Sequence, residues 1–122
     1  LATLVNLPPL KPAALAALAR ALLAQNRRDE AVAASSEAHS LLESAGWVED
    51  GEALIRLVYA ECLIAAGSKA AAAHVLDKAV HRLDDRAAAI EKPEWRAAFL
   101  RLPEHARTLE LAAAHTPAFR VA

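Results

Sequence analysis

The stretch HVLDKAVHRLDD, residues 74–85, carries His74, Asp77, His81 and Asp84 at spacings of three, four and three. On a helix this spacing places four potential metal ligands on one face. A second row, Ser35, His39 and Glu43, stands four apart in the order hydroxyl, base and acid. That is the set of groups a nucleophile, its base and an orienting carboxylate require. Cys62, the neighbours Glu104 and His105, and His115 complete the inventory of reactive side chains. What each can do depends on where the core lies.

Residues set at about 100° around a helix gather Val75, Leu76, Ala79, Leu83 and Ile90 on one side. His74, Asp77, His81 and Asp84 gather on roughly the other. A metal site needs outer-shell support and usually ligands from a second element, so this stripe reads as a solvated face. The Ser35 row lies on one regular helix, which supplies no oxyanion hole, and reads as a polar stripe. Cys62 falls beside core positions and reads as a packing thiol. Glu104 and His105 are adjacent and point about 100° apart, which suits helix capping and solvation. His115 has no partner at ligand spacing. Neither a Gly-rich phosphate loop nor HExxH occurs. No catalytic residue, metal or cofactor is expected, and an enzyme is not the reading.

The bulk properties narrow the class further. At 122 residues the chain suits one domain. Its apolar share is 56%, mostly Ala and Leu with few aromatics and few glycines, which favours an all-α fold. A net charge of −1, with Arg27-Arg28 followed at once by Asp29-Glu30, gives no basic tract for nucleic acid. No run of 18 apolar residues exists, so no membrane span is expected. A single cysteine allows no internal disulfide and fits a cytoplasmic setting. Methionine is absent even at residue 1, which points to a processed product or part of a longer protein.

Apolar residues recur every three or four positions nearly throughout, and breakers mark the joints. Pro12 opens a first helix to about Gln25. A second runs from Arg28-Asp29 to Gly46. A third starts near Asp50, taken as its N-cap, and stops at Gly67. Ser68 caps a fourth that reaches about Glu91, since Lys92 precedes Pro93 and is pushed from helical angles. Pro93 opens a short fifth to Leu102, and Pro103 a sixth to His115. Short connections make the four longer helices antiparallel neighbours.

The two helix pairs are self-similar at an offset of 41. Leu15, Leu18, Ala19 and Leu22 fall on Arg56, Tyr59, Ala60 and Leu63, while Ala31, Ser35 and Ala38 fall on Ala72, Leu76 and Ala79. Asn26 falls on Gly67, an exchange that a left-handed turn residue permits. This large-x-x-large-small-x-x-large pattern, followed by small-x-x-x-large-x-x-small, resembles the tetratricopeptide repeat over residues 12–91. Its period of 41 is longer than the common 34 and is similar to variants such as those of kinesin light chains. Arg56 and Ser35 stand where the pattern has bulk. A further step of 41 gives Ala97, Leu100, Arg101 and Glu104, which do not match. The tail from Arg96 is similar to closing segments of helical-repeat regions in large bacterial signalling proteins, through Phe99-Leu100 and Pro103-Glu104-His105-Ala106-Arg107.

The resemblance implies a short right-handed solenoid. Residues 1–11 form an extended segment or the remnant of a preceding element. Pairs 12–46 and 50–91 follow, with capping helices at 93–115 and a tail at 116–122. It also implies a concave groove lined by the first helix of each pair. The residues so placed are Arg20 and Leu23 with Ala16, Ala17 and Ala24, facing Leu54, Leu57, Val58, Glu61, Ile64 and Ala65. Arg20 and Glu61, at equivalent positions, are expected to pair across it. Repeat domains that clamp acidic tails use charged and amide groups where this chain has Ala16, Arg20 and Val58, so that clamp is not expected. The expected function is a non-catalytic interaction module of a larger cytoplasmic regulator, taking an apolar peptide or helix. The alternative is a structural domain that uses the same face to form a homodimer. In the other arrangement Leu1–Leu10 or missing repeats fill the groove, and its lining is then core.

Overall fold

A computed structural model describes residues 12–46 and 51–115 of the chain. Six helices account for these residues, with no strand among them: α1 Pro12–Ala24, α2 Arg28–Ala45, α3 Glu52–Ala65, α4 Lys69–Ala88, α5 Pro93–Leu100 and α6 Pro103–His115. The fold is all-α. The proposed extents of the segments before Pro12 and after His115 lie outside the described residues.

The two joints that the repeat aligns are closed in the same way. Asn26 and Gly67 both take left-handed angles, φ 62° and 85°. Arg27 and Ser68 donate their amides to Leu22 and Leu63, while Asn26 and Gly67 donate to Leu23 and Ile64. These paired bonds satisfy carbonyls that a helix end would otherwise strand. Self-similarity at 41 residues is therefore expressed in backbone geometry, not only in side-chain type.

Four joints differ from the sequence expectation. Asp50 lies outside the described residues, and the N-cap position of α3 is held by Gly51 at φ 80°. A side-chain carbon on Gly51 would stand 3.1 Å from the Ala13 Cβ, so glycine also lets α1 and α3 approach. Ser68 occupies the N-cap of α4 without a side-chain bond to the helix. Helix α4 ends at Ala88 instead of Glu91, and α5 at Leu100 instead of Leu102. The reason at α4 is Arg96, whose guanidinium donates to the carbonyls of Ala87 and Ile90 at 3.1 and 2.7 Å. The chain turns there because a side chain, rather than another helical turn, satisfies those acceptors.

Two apolar clusters share α3. Ile55, Val58 and Cys62 pack with α1 and α2, around Leu15, Ala19, Leu22, Ala31, Ala38 and Leu42. Leu57, Ala60 and Leu63 pack with α4 and α6, around Val75, Leu76, Val80, Leu111 and Ala112. Helix α3 thus touches α1, α2, α4 and α6, and most of its circumference is interior. The packing relation recurs along the chain: α3 rests on both α1 and α2, and α6 rests on both α3 and α4.

Helix α6 keeps the relation at a different offset. A step of 50 carries Ile55, Val58 and Cys62 onto His105, Thr108 and Ala112, and all six are buried. The change from 41 to 50 is about the length of α5, an eight-residue insertion none of whose residues is fully buried. At the other end, Ala14, Ala17 and Ala21 hold the equivalent register on α1 and are exposed.

Candidate interaction groove

The C-terminal halves of α1 and α3 and the middle of α6 enclose an open groove of about 410 Å³. It is lined by Arg20, Leu23, Ala24, Glu61, Ile64, Ala65, Arg107 and Leu111. Six of these are three repeat-equivalent pairs: Arg20 with Glu61, Leu23 with Ile64, and Ala24 with Ala65. Their equivalence follows from the shared joint, because each pair sits at the same distance from Asn26 or Gly67.

Charge crosses the groove in a ladder. Arg20 Nη2 donates to Glu61 Oε1 at 2.9 Å, the pairing that the sequence leads one to expect. Glu61 Oε2 faces Arg107 Nε at 3.8 Å, and Arg107 Nη1 lies 3.9 Å from Glu110 Oε2. Glu61 is 19% exposed and sits inside the groove, while Arg107 is 51% exposed at its rim. Between these groups lie the apolar side chains of Leu23, Ile64 and Leu111.

Of the residues expected to line the groove, Arg20, Leu23, Glu61 and Ile64 do so, with Ala24 and Ala65. Leu57 and Val58 do not. They are 1% and 0% exposed and belong to the two cores. The sequence reading gave α3 one packed face and one free face, whereas four neighbouring helices leave it almost no free face. Leu54 is half-buried and packs against both clusters. Ala16 is buried in the α1–α2 core, while Ala17 is exposed but outside the groove. Arg107 and Leu111 were missed, because the step of 41 does not align α6 with α3. A search allowing an inserted helix could have placed α6, though the polar residues His105 and Thr108 weaken that signal.

The reactive rows are separated or solvated. Ser35 is buried and donates to the Val32 carbonyl at 3.1 Å. His39 stacks on Tyr59 with ring centroids 4.8 Å apart, and Glu43 meets Lys78 at 3.4 Å. Burial pushes the His39 pKa down, Glu43 opposes this, and Arg56 and Lys78 reinforce it. No hydrogen bond is made between Ser35 and His39. Cys62 is buried, and burial pushes its thiol pKa up, with the neighbouring Ser35 side chain opposing.

His74, Asp77, His81 and Asp84 are all exposed on α4. His81 Nδ1 approaches the Asp77 carbonyl at 2.8 Å, and this contact, with the Asp77 charge, raises its pKa. Among the described residues no group of three or more His, Cys, Asp or Glu is arranged for a metal ion. His115 closes α6, in its last turn.

His105 departs from its expected solvation. It is buried, its Nδ1 donates to the Phe99 carbonyl at 2.7 Å, and its ring stacks on Phe99 at 4.3 Å. The inserted α5 folds back over this position and covers it, which helical spacing alone does not reveal. None of the helices is long and apolar enough to cross a membrane, among the described residues. No family model, curated protein or solved structure matches this chain.

Proposed function

We propose that the protein is a non-catalytic interaction module, a short tetratricopeptide-like solenoid that holds an apolar peptide or helix in its groove. The observation that carries this reading is the groove itself. Three pairs of repeat-equivalent residues from α1 and α3, completed by Arg107 and Leu111 of α6, line one open concavity. An apolar floor with a few polar groups is the composition expected of a helix-binding surface. The recurring contacts of α3 on α1 and α2, and of α6 on α3 and α4, support the solenoid. Membership of a larger regulatory protein, with a cytoplasmic setting, is part of this proposal and rests on the family resemblance and the single cysteine.

The test uses charge in the floor of the groove. Leu23→Glu combined with Ile64→Glu should abolish partner capture while the helical circular dichroism is kept. Persistence of capture by a folded double variant would sink the groove reading. Leu57 and Val58 are unsuitable probes, because charging them would disrupt the cores.

A second reading is favoured by the exposed face of α1. Ala14, Ala17 and Ala21, beside Leu18, are open to solvent in the register at which Ile55, Val58 and Cys62 are packed. A structural or oligomerisation domain would bury that face on another copy. Light scattering across a concentration series decides this, since dimer formation follows mass action. A monomer at all concentrations removes the second reading.

A further inference from the structure

We infer that the arginine-ringed void between α3, α4 and α6 is a binding site for a small monatomic anion of the halide class. The site lies at the other end of α3 from the groove and does not depend on the interaction reading.

The ring is built on Glu52, which is buried in the first turn of α3. Its Oε2 faces three guanidiniums. Arg82 Nε donates to it at 2.8 Å, while Arg56 Nη1 stands at 3.2 Å and Arg86 Nη1 at 3.9 Å. A void of about 10 Å³ opens among these groups, walled otherwise by Ala53, Ala79, Leu83 and Thr108.

Two observations point to an anion. The first is an orphan donor: Arg56 Nη1 is buried and makes no hydrogen bond, despite its closeness to Glu52. A buried donor without an acceptor is costly, and an ion or a water is the usual remedy. The second is charge. The wall of the void carries three guanidiniums and one carboxylate. Asp85 acts on Arg82 from the exposed side of α4, and one positive charge is still in surplus. The groove differs in this respect, because Arg20 and Arg107 are matched there by Glu61 and Glu110.

An anion in the void answers both observations. It accepts from Arg56 Nη1 and lies beside the surplus charge, where screening by water is weak. A water would accept the same bond but leave the charge as it is. Glu52 repels such an ion, but three guanidiniums outweigh one carboxylate. The volume admits a single atom about the size of a water molecule and excludes sulfate or phosphate. Arg82 and Arg86 are partly exposed and leave a way in from solvent. The bound ion would fasten α3 to α4 and α6, so stability should respond to the identity of the anion.

The test is thermal unfolding of the whole 122-residue chain as sodium chloride replaces sodium gluconate. Ionic strength is held constant, which keeps general screening fixed. A site of about 50 mM affinity should raise Tm by about 4 °C in about 0.5 M chloride. Sodium sulfate at the same ionic strength reports the general salting effect. Arg56→Leu removes the orphan donor and should erase the chloride-specific rise. Ala53→Val keeps all four charged groups but fills the void, and should erase it too. Independently of any variant, crystals of the native chain grown from sodium bromide should show one anomalous peak within hydrogen-bond reach of Arg56 Nη1.

Absence of bromide at Arg56 would overturn the inference and leave water as the acceptor. Bromide there without the chloride-dependent rise is binding at crystal concentration only, and overturns it as well. A rise that survives in folded Arg56→Leu or Ala53→Val would place the ion outside the void. An equal, Arg56-dependent rise in sulfate would assign the arginines to a larger anion at the mouth. Either result also overturns the inference.

Discussion

Glu52 and Glu61 lie nine residues apart on α3, and each gathers arginines from other helices. Glu52 is 9% exposed and meets Arg56 at 3.2 Å, Arg82 at 2.8 Å and Arg86 at 3.9 Å. Beside it is a void of about 10 Å³, room for about one water molecule. The Arg86 guanidinium also lies 5.0 Å from the Phe99 ring centroid, and Phe99 holds His105. One carboxylate thus connects α3 with α4 and, through Arg86, with α5 and α6. Glu61 pairs with Arg20 and faces Arg107 across open space. Similar ionic chemistry is locked into the fold at one end of α3 and left accessible at the other. What separates them is enclosure: Glu52 is nearly buried among its arginines and ties helices together, whereas the arginines around Glu61 are about half exposed and their pairing contributes little to stability.

That contrast breaks most readily by removing the two acids in turn. Glu52→Ala leaves the nearly buried Arg56 without its ion-pair partner and should cost about 3 kcal/mol in urea unfolding. Glu61→Ala should cost at most about 1 kcal/mol, because its arginines are half-exposed. Equal losses would show that the two sites are energetically alike. Next in size, Arg96→Ala removes the bonds that close α4 and should cost about 1–2 kcal/mol. If Arg96→Ala is neutral, anchorage of α5 runs through Arg86 and Phe99 instead.

Smaller effects should appear in the pH dependence. Burial raises the Glu52 pKa, but the Arg82 hydrogen bond and the charges of Arg56 and Arg82 outweigh it and bring the pKa below its usual 4.5. The folded state therefore binds fewer protons than the unfolded one in that window. The contribution is complete above pH 4.5 and is lost as pH falls through the folded value. Glu52→Gln should flatten this acid limb in pH-dependent thermal unfolding, and Glu61→Gln should not. His39 has a lowered pKa too, so stability should decline as pH falls below its ordinary 6.5. His39→Gln should remove that slope. The smallest change is expected for Arg56→Leu, within about 1 kcal/mol of the native chain. Its buried Nη1 lacks a hydrogen-bond partner, and removing that guanidinium offsets the lost ion pair.

Much of the local structure is legible along the chain. Pro12, Pro93 and Pro103 open helices, and Asn26, Gly46 and Gly67 stand just past helix ends. The shared step of 41 residues located Arg20 opposite Glu61, and their bond is present. The same step placed Leu23 and Ile64 on the groove. It failed at α6 because α5 shifts the register, and at Leu57 and Val58 because it treats each helix pair in isolation. The Glu52 hub was also missed. Its arginines come from one position four residues along α3 and from the far end of α4, so no single spacing displays them together.

The sequence by itself determined the elements: where helices begin and end depends on local angles, missing amide donors and left-handed residues. It also determined one equivalence, since two pairs with the same joints present the same faces. Only the tertiary structure decided which of those faces remained open. Burial around α3 depends on how many helices surround it, and Arg107 reaches the groove because α6 folds back beyond an inserted helix. Those are properties of packing in three dimensions, where residues far apart in the chain compete to cover the same surface.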